Sequence, residues 1–144
     1  MKKCLLFLYL SFGFICGCSP NSSDDFHHEG ESFCHALRND LKKIHTREDL
    51  QRVAPDLKKK FNSLVDLIIA SRIYQQKHPN EEAPEFNDSE ETASMLLLEE
   101  LQRIYTLEGG REVVENAQRE ALIRLDGFER NLEHQKQIFS PNIP

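Results

Sequence analysis

Six side chains able to hold a metal ion fall within the nine residues from His27 to His35: His27, His28, Glu29, Glu31, Cys34 and His35. Imidazole, thiolate and carboxylate all suit zinc. Their spacing matches no compact ligand motif, and Cys34 and His35, being adjacent, would point about 100° apart on a helix. His-Glu-x-x-His is missing because His28-Glu29-Gly30-Glu31-Ser32 lacks the second histidine. The Glu-x-x-His pairs that helical di-iron sites need are also missing. The cluster therefore reads as solvated polar chain, with metal binding by His27, His28, Cys34 and His35 as the alternative.

Nucleophilic and phosphate chemistry find less support. There is no Gly-x-Ser-x-Gly elbow, and the one glycine pair, Gly109-Gly110, suits a turn better than a phosphate cradle. Adjacent acids such as Glu99-Glu100 diverge around a helix. No catalytic constellation and no cofactor motif emerge, so a non-enzymatic role is expected. The chain carries 24 acidic and 18 basic residues for a net charge of −6. That balance argues against nucleic acid, whose phosphates need a basic face.

The remaining cysteines belong to the N-terminus. Met1-Lys2-Lys3 is a positive start, and Cys4–Phe14 (CLLFLYLSFGF) is apolar apart from Ser11 and Gly13. This is the pattern of a secretory signal. The apolar run is shorter than the roughly 20 residues a spanning helix needs, and polar Ser19–Asp25 follows at once.

Ile15-Cys16-Gly17-Cys18 closes that run with an aliphatic residue, a small residue, Gly and Cys. It resembles the lipobox of bacterial lipoproteins, with Cys16 standing where Ala or Ser is more usual. The resemblance covers about the first twenty residues. It implies that a lipid is attached through the Cys18 sulfur, that the peptide is cut before Cys18, and that the new amino group is acylated. Two or more chains anchor stably where one does not. Ser19 after the cysteine, by the family's sorting rule, implies the outer membrane. Processing would remove Lys2 and Lys3 and so lower the charge from −6 to −8. It would leave Cys34 as the sole thiol, expected to be buried beside Leu37 and Leu41 or to form a dimerising disulfide.

The organisation that follows is a signal peptide at 1–17, a lipid-anchored flexible tether at 18–31, a helical domain at 32–138 and a disordered tail at 139–144. The tether is dominated by Pro, Asn, Ser, Asp and Gly, with Phe26 its lone large apolar residue. From Ser32 apolar residues recur at helical spacing: Phe33, Leu37, Leu41 and Ile44, then Leu57, Phe61, Leu64 and Ile68, then Val114, Ala117, Ala121 and Leu125. The fold class is all-α, an antiparallel bundle of about four helices near 32–45, 55–77, 90–108 and 112–135. Pro55 splits off a short helix at 47–53. The segment with Met95-Leu96-Leu97-Leu98 is the most apolar and is expected at the centre. Lys43-Ile44-His45, Arg72-Ile73-Tyr74 and Arg103-Ile104-Tyr105 look alike, but shared helix-end chemistry explains them without a repeat.

Two charged surfaces could touch a partner, but solvation explains the first and helix capping with solubility most of the second. Lys58-Lys59-Lys60 is a short basic run, and Glu81, Glu82, Glu85, Asp88, Glu90 and Glu91 form an acidic loop and helix start. The apolar faces at Leu64–Ile69 and Met95–Leu98 are wider than one packing seam requires. The expectation is a lipid-anchored envelope protein whose helical domain binds a protein partner or itself. The alternative is a metal-binding or redox-responsive envelope protein using Cys34 and its neighbouring histidines.

Overall fold

The computed structural model describes residues 20–81 and 88–139. Four helices account for nearly all of them: α1 (Ser23–Leu41), α2 (Arg47–Lys77), α3 (Asp88–Tyr105) and α4 (Gly110–Phe139). The lipobox-like residues 15–18 and the tail from 140 onward lie outside the described residues.

Helix α1 begins nine residues before the expected Ser32, inside the stretch read as tether. The Ser-Ser-Asp-Asp run that looked like linker is a helix start. The Ser22 hydroxyl accepts from the Asp25 amide at 3.1 Å, and the Asp25 carboxylate accepts from the Asn21 amide at 2.9 Å. Phe26 then packs on Tyr74 of α2 with ring centroids 5.5 Å apart and is only 8% exposed. One buried aromatic and one cap offset the ordering cost of a polar stretch, which composition alone does not reveal.

Helix α2 is likewise continuous, where a separate 47–53 helix was expected. Thr46 and Asp49 close a full capping box: the Thr46 hydroxyl accepts from the Asp49 amide, and Asp49 accepts from the Thr46 amide. Pro55 lies inside the helix and denies a donor to the carbonyl of Gln51, but both residues are exposed and that carbonyl can turn to water. The helix accommodates the proline because it falls on the outer face.

Consecutive helices run antiparallel, as the bundle reading requires. Phe26 meets Tyr74, while Asp40 meets Lys60 at 2.9 Å. The turn 106–109 makes α3–α4 a second hairpin. The two hairpins then stack with like helices side by side and parallel. Arg47 pairs with Glu108, Lys58 with Glu120 and Arg124 with Asn62, a nearly constant offset along α2 and α4. Arg103 reaches the carbonyls of Leu41 and Ile44, keeping a similar offset along α1 and α3. The circuit of packed neighbours is α1–α2–α4–α3, with α2 against α4 the most extensive interface. Ala117 and Ala121 of α4 are small and buried in the same core cluster as Leu57, Phe61 and Val65 of α2, which lets the two helices pack closely.

The most apolar helix is not the central one. Of α3, Ala93 and Ile104 are the buried apolar side chains, and the helix packs broadly on α1 but narrowly on α4. Met95 and Leu98 are 57% and 56% exposed, and Leu122 and Ile123 on α4 are 46% and 62% exposed. Ile44 and Ile104 both sit in the core near the end of the first helix of a hairpin, whereas Ile73 is exposed. The three look-alike triplets thus occupy two kinds of place.

Candidate functional site

The groove between α1 and α2, bordered by Ser94 of α3, takes in His27, Glu31 and Cys34 of the residues that sequence alone singled out, but not His28 or His35. It has a volume of about 410 Å³, and Phe26, Gly30 and Cys34 of α1 face Leu64, Leu67 and Ile68 of α2 across it. The two helices touch at both ends of this stretch, through Phe26–Tyr74 and Asp40–Lys60, and leave the middle open. Gly30 widens it: a Cβ added there would meet nothing within 4 Å. The wide apolar face expected at Leu64–Ile69 divides accordingly. Val65 is buried, Ile69 packs on the core, and Leu64, Leu67 and Ile68 are half-buried in the groove wall.

Cys34 is half-buried rather than fully enclosed, with Ser94 of α3 beside it. Burial raises its thiol above the ordinary value, opposed by the Ser94 hydrogen bond and reinforced by the Glu31 charge. The group therefore stays protonated near neutral pH, the opposite of what a nucleophilic or metal-binding thiolate needs.

The histidines are dispersed by the helix. His28 lies 3.5 Å from Asp24 and His35 lies 3.6 Å from Glu31, each one turn away on α1, while His27 is at the groove edge. Among the described residues, no group of three His, Cys, Asp or Glu side chains is placed to hold a metal ion. The four candidates His27, His28, Cys34 and His35 share α1 without converging.

The lysine run and Glu81 are engaged by the fold itself, while Glu82 and Glu85 lie outside the described residues. Lys58 bonds Glu120 of α4 at 2.6 Å, Lys59 bonds Asp56 at 3.1 Å and Lys60 bonds Asp40 of α1 at 2.9 Å. The basic run thus ties α2 to both neighbours. In the acidic stretch, Glu81 accepts from the Tyr74 hydroxyl at 2.7 Å and from the Ser23 amide at 3.1 Å. It clamps the N-terminus of α1 to the end of α2.

These paired carboxylates predict a modest loss of stability in acid. The Tyr74 hydroxyl, then the Ser23 amide, hold Glu81 below the usual carboxylate range. Lys43 and Lys60 do the same for Asp40, Lys58 for Glu120 and the His45 amide for Asp49. A carboxylate whose folded pKa is depressed contributes stability above its unfolded pKa and loses it as pH falls through the folded value. The urea midpoint should stay flat from pH 7 to 5 and decline steadily below about pH 4.5. The α1 N-terminus should exchange its amides first. A midpoint unchanged at pH 3 would contradict this.

Compared with known proteins, the chain matches no protein-family model, no curated protein and no solved structure at a significant level. Among the described residues, no helix is long and apolar enough to cross a membrane.

Proposed function

We propose that this chain is a lipid-anchored protein of the bacterial envelope whose four-helix bundle is a non-catalytic interaction module. The observation that carries the reading is Ile15-Cys16-Gly17-Cys18 at the end of a short charged-then-apolar leader. The bundle supports it by its position. Helix α1 starts at Ser23, so four residues separate a lipid on Cys18 from folded protein. An extended chain covers at most about 17 Å between Cys18 and Ser23. The domain would therefore sit close on the membrane, with the α1 N-terminus and the α2 C-terminus lowermost. By the family's sorting pattern, Ser19 directs it to the outer membrane.

The exposed side chains of Met95, Leu98, Leu122 and Ile123 are the surfaces best suited to a protein partner or a second copy. Acidic net charge disfavours nucleic acid.

Changing Cys18 to Ser in the full chain tests the anchor. The variant should keep its leader, gain no lipid mass, and be found unprocessed by mass spectrometry. The parent should lose residues 1–17 and carry a lipidated Cys18. A Cys18→Ser protein that is still lipidated, or a parent with an unmodified Cys18, would refute the reading.

A further inference from the structure

We propose that two copies of this chain pair through the outer face of α4, antiparallel, with Leu122 and Ile123 at the centre of the contact. The proposal rests on the reading of the bundle as an interaction module, names a second copy as its partner, and draws nothing from the lipid.

Six residues build the face. Glu115, Arg119, Leu122, Ile123, Asp126 and Arg130 are all exposed. With 3.6 residues to a turn they fall within about 100° of the helix circumference, on the side turned away from the buried Val114, Ala117 and Ala121. Leu122 and Ile123 are large apolar side chains left mostly in water in the middle of a row of charges. Those charges have little to do within one chain. Arg119, Asp126 and Arg130 make no ion pair with any described residue, and Glu115 has one exposed contact, with Arg111 at 3.6 Å. The charges on the adjoining side of α4 differ: Glu120 and Arg124 are paired with Lys58 and Asp66 of α2.

The order of the charges along the helix selects the partner and its direction. A two-fold axis crossing between Leu122 and Ile123 sets residues equally far from it opposite one another. Three positions out, Arg119 meets the second copy's Asp126; seven positions out, Glu115 meets the second copy's Arg130. Symmetry doubles both contacts, so ion pairs flank an apolar centre where Leu122 and Ile123 meet their own counterparts. Glu112 falls opposite Glu133, but both are exposed at the rim, where water and salt weaken the repulsion. A parallel pairing would instead set Arg119 on Arg119 and Asp126 on Asp126, which like charge disfavours. One helix face is small against the roughly 1,600 Å² of a standard interface, so dissociation in the micromolar range is expected.

The test measures the protein mass of the full chain by light scattering from about 1 to 200 µM. It is run in detergent with micelles in large excess, so that two copies do not share one by chance. The parent should approach twice the mass of one chain at the upper end. Ile123→Asp should stay monomeric with its helicity intact, because the side chain is exposed in the bundle. Arg119→Asp and Asp126→Arg should each weaken pairing at least about tenfold, since symmetry puts two repulsive contacts into every dimer. Combining Arg119→Asp with Asp126→Arg re-forms the pairs with exchanged signs and should restore the dimer. A parent that stays monomeric throughout, a dimer that Ile123→Asp leaves intact, or a double variant no better than the single ones would overturn the pairing. A monomeric parent would end self-pairing alone; the anchor fails separately, on an unmodified Cys18.

Discussion

Gly110→Ala is expected to destabilise the bundle by about 3 kcal/mol or more and to lower the melting temperature by about 10 °C or more. A Cβ at Gly110 would fall 1.9 Å from the Ile104 carbonyl oxygen and 2.9 Å from its carbon. Both are backbone atoms of a core residue, so no side-chain rotation relieves the clash. The α3–α4 turn would have to open, and the Gly110 amide bond to the Leu107 carbonyl at 2.9 Å would break with it. Gly109 next door provides the contrast. Its φ of 74° is left-handed, but an added Cβ there has only Arg47 Nε at 4.0 Å. Gly109→Ala should therefore cost only about 1–2 kcal/mol, the ordinary penalty for an L-residue in that region, and Gly109→Asn less. Thermal melts of the three variants followed by circular dichroism would measure the difference. A Gly110→Ala protein as stable as Gly109→Asn would refute the packing account.

Arg103→Ala should be the next most damaging change, at about 2–3 kcal/mol. The guanidinium Nη2 donates to the Leu41 carbonyl at 2.8 Å and to the Ile44 carbonyl at 2.9 Å, while Nε bonds Glu100. Leu41 and Ile44 are almost wholly buried, so the carbonyls ending α1 have little access to water once the arginine is gone. The Glu100 side chain, largely buried, would lose its cation as well. Arg103→Lys should recover only part of the loss, because a single ammonium lacks the planar fork that serves two carbonyls and a carboxylate together. Urea unfolding of the Ala and Lys variants gives both values. A loss below about 0.5 kcal/mol for Arg103→Ala would mean that water replaces the clamp.

Arg103 also shows where sequence reading stops. Its place near the end of an apolar helix suggested interaction with the carbonyls of its own helix. In the fold it satisfies the end of α1, a partner more than fifty residues away. Nothing local distinguishes these cases, since a basic residue near a helix C-terminus can serve the carbonyls of its own helix or those ending a neighbouring one. The lysine run behaves similarly. Lys58, Lys59 and Lys60 read as solvated charge, yet each has an acid waiting on α4, α2 or α1.

The first helix marks the second limit. Composition made residues 18–31 a tether because one phenylalanine among polar residues buries too little by itself. Tyr74 and Glu81 supply what the segment lacks, an aromatic seat for Phe26 and a carboxylate for the Ser23 amide. Both come from the far end of α2.

What the sequence determined by itself was periodic and local. Apolar residues at helical spacing set the all-α class. Gly109-Gly110 set the last turn, Thr46 and Asp49 set a helix start, and Cys18 stands out as the residue matching a lipidation pattern. These follow because helix amphipathicity and capping involve neighbours within a few positions. The tertiary structure decided what depends on distant neighbours: the parallel stacking of the two hairpins, the peripheral place of the most apolar helix, and the open groove beside Gly30 between α1 and α2. Packing two hairpins chooses among faces that are equally apolar in sequence. The choice rests on complementary volumes, such as Ala117 and Ala121 against Phe61, that no local window contains.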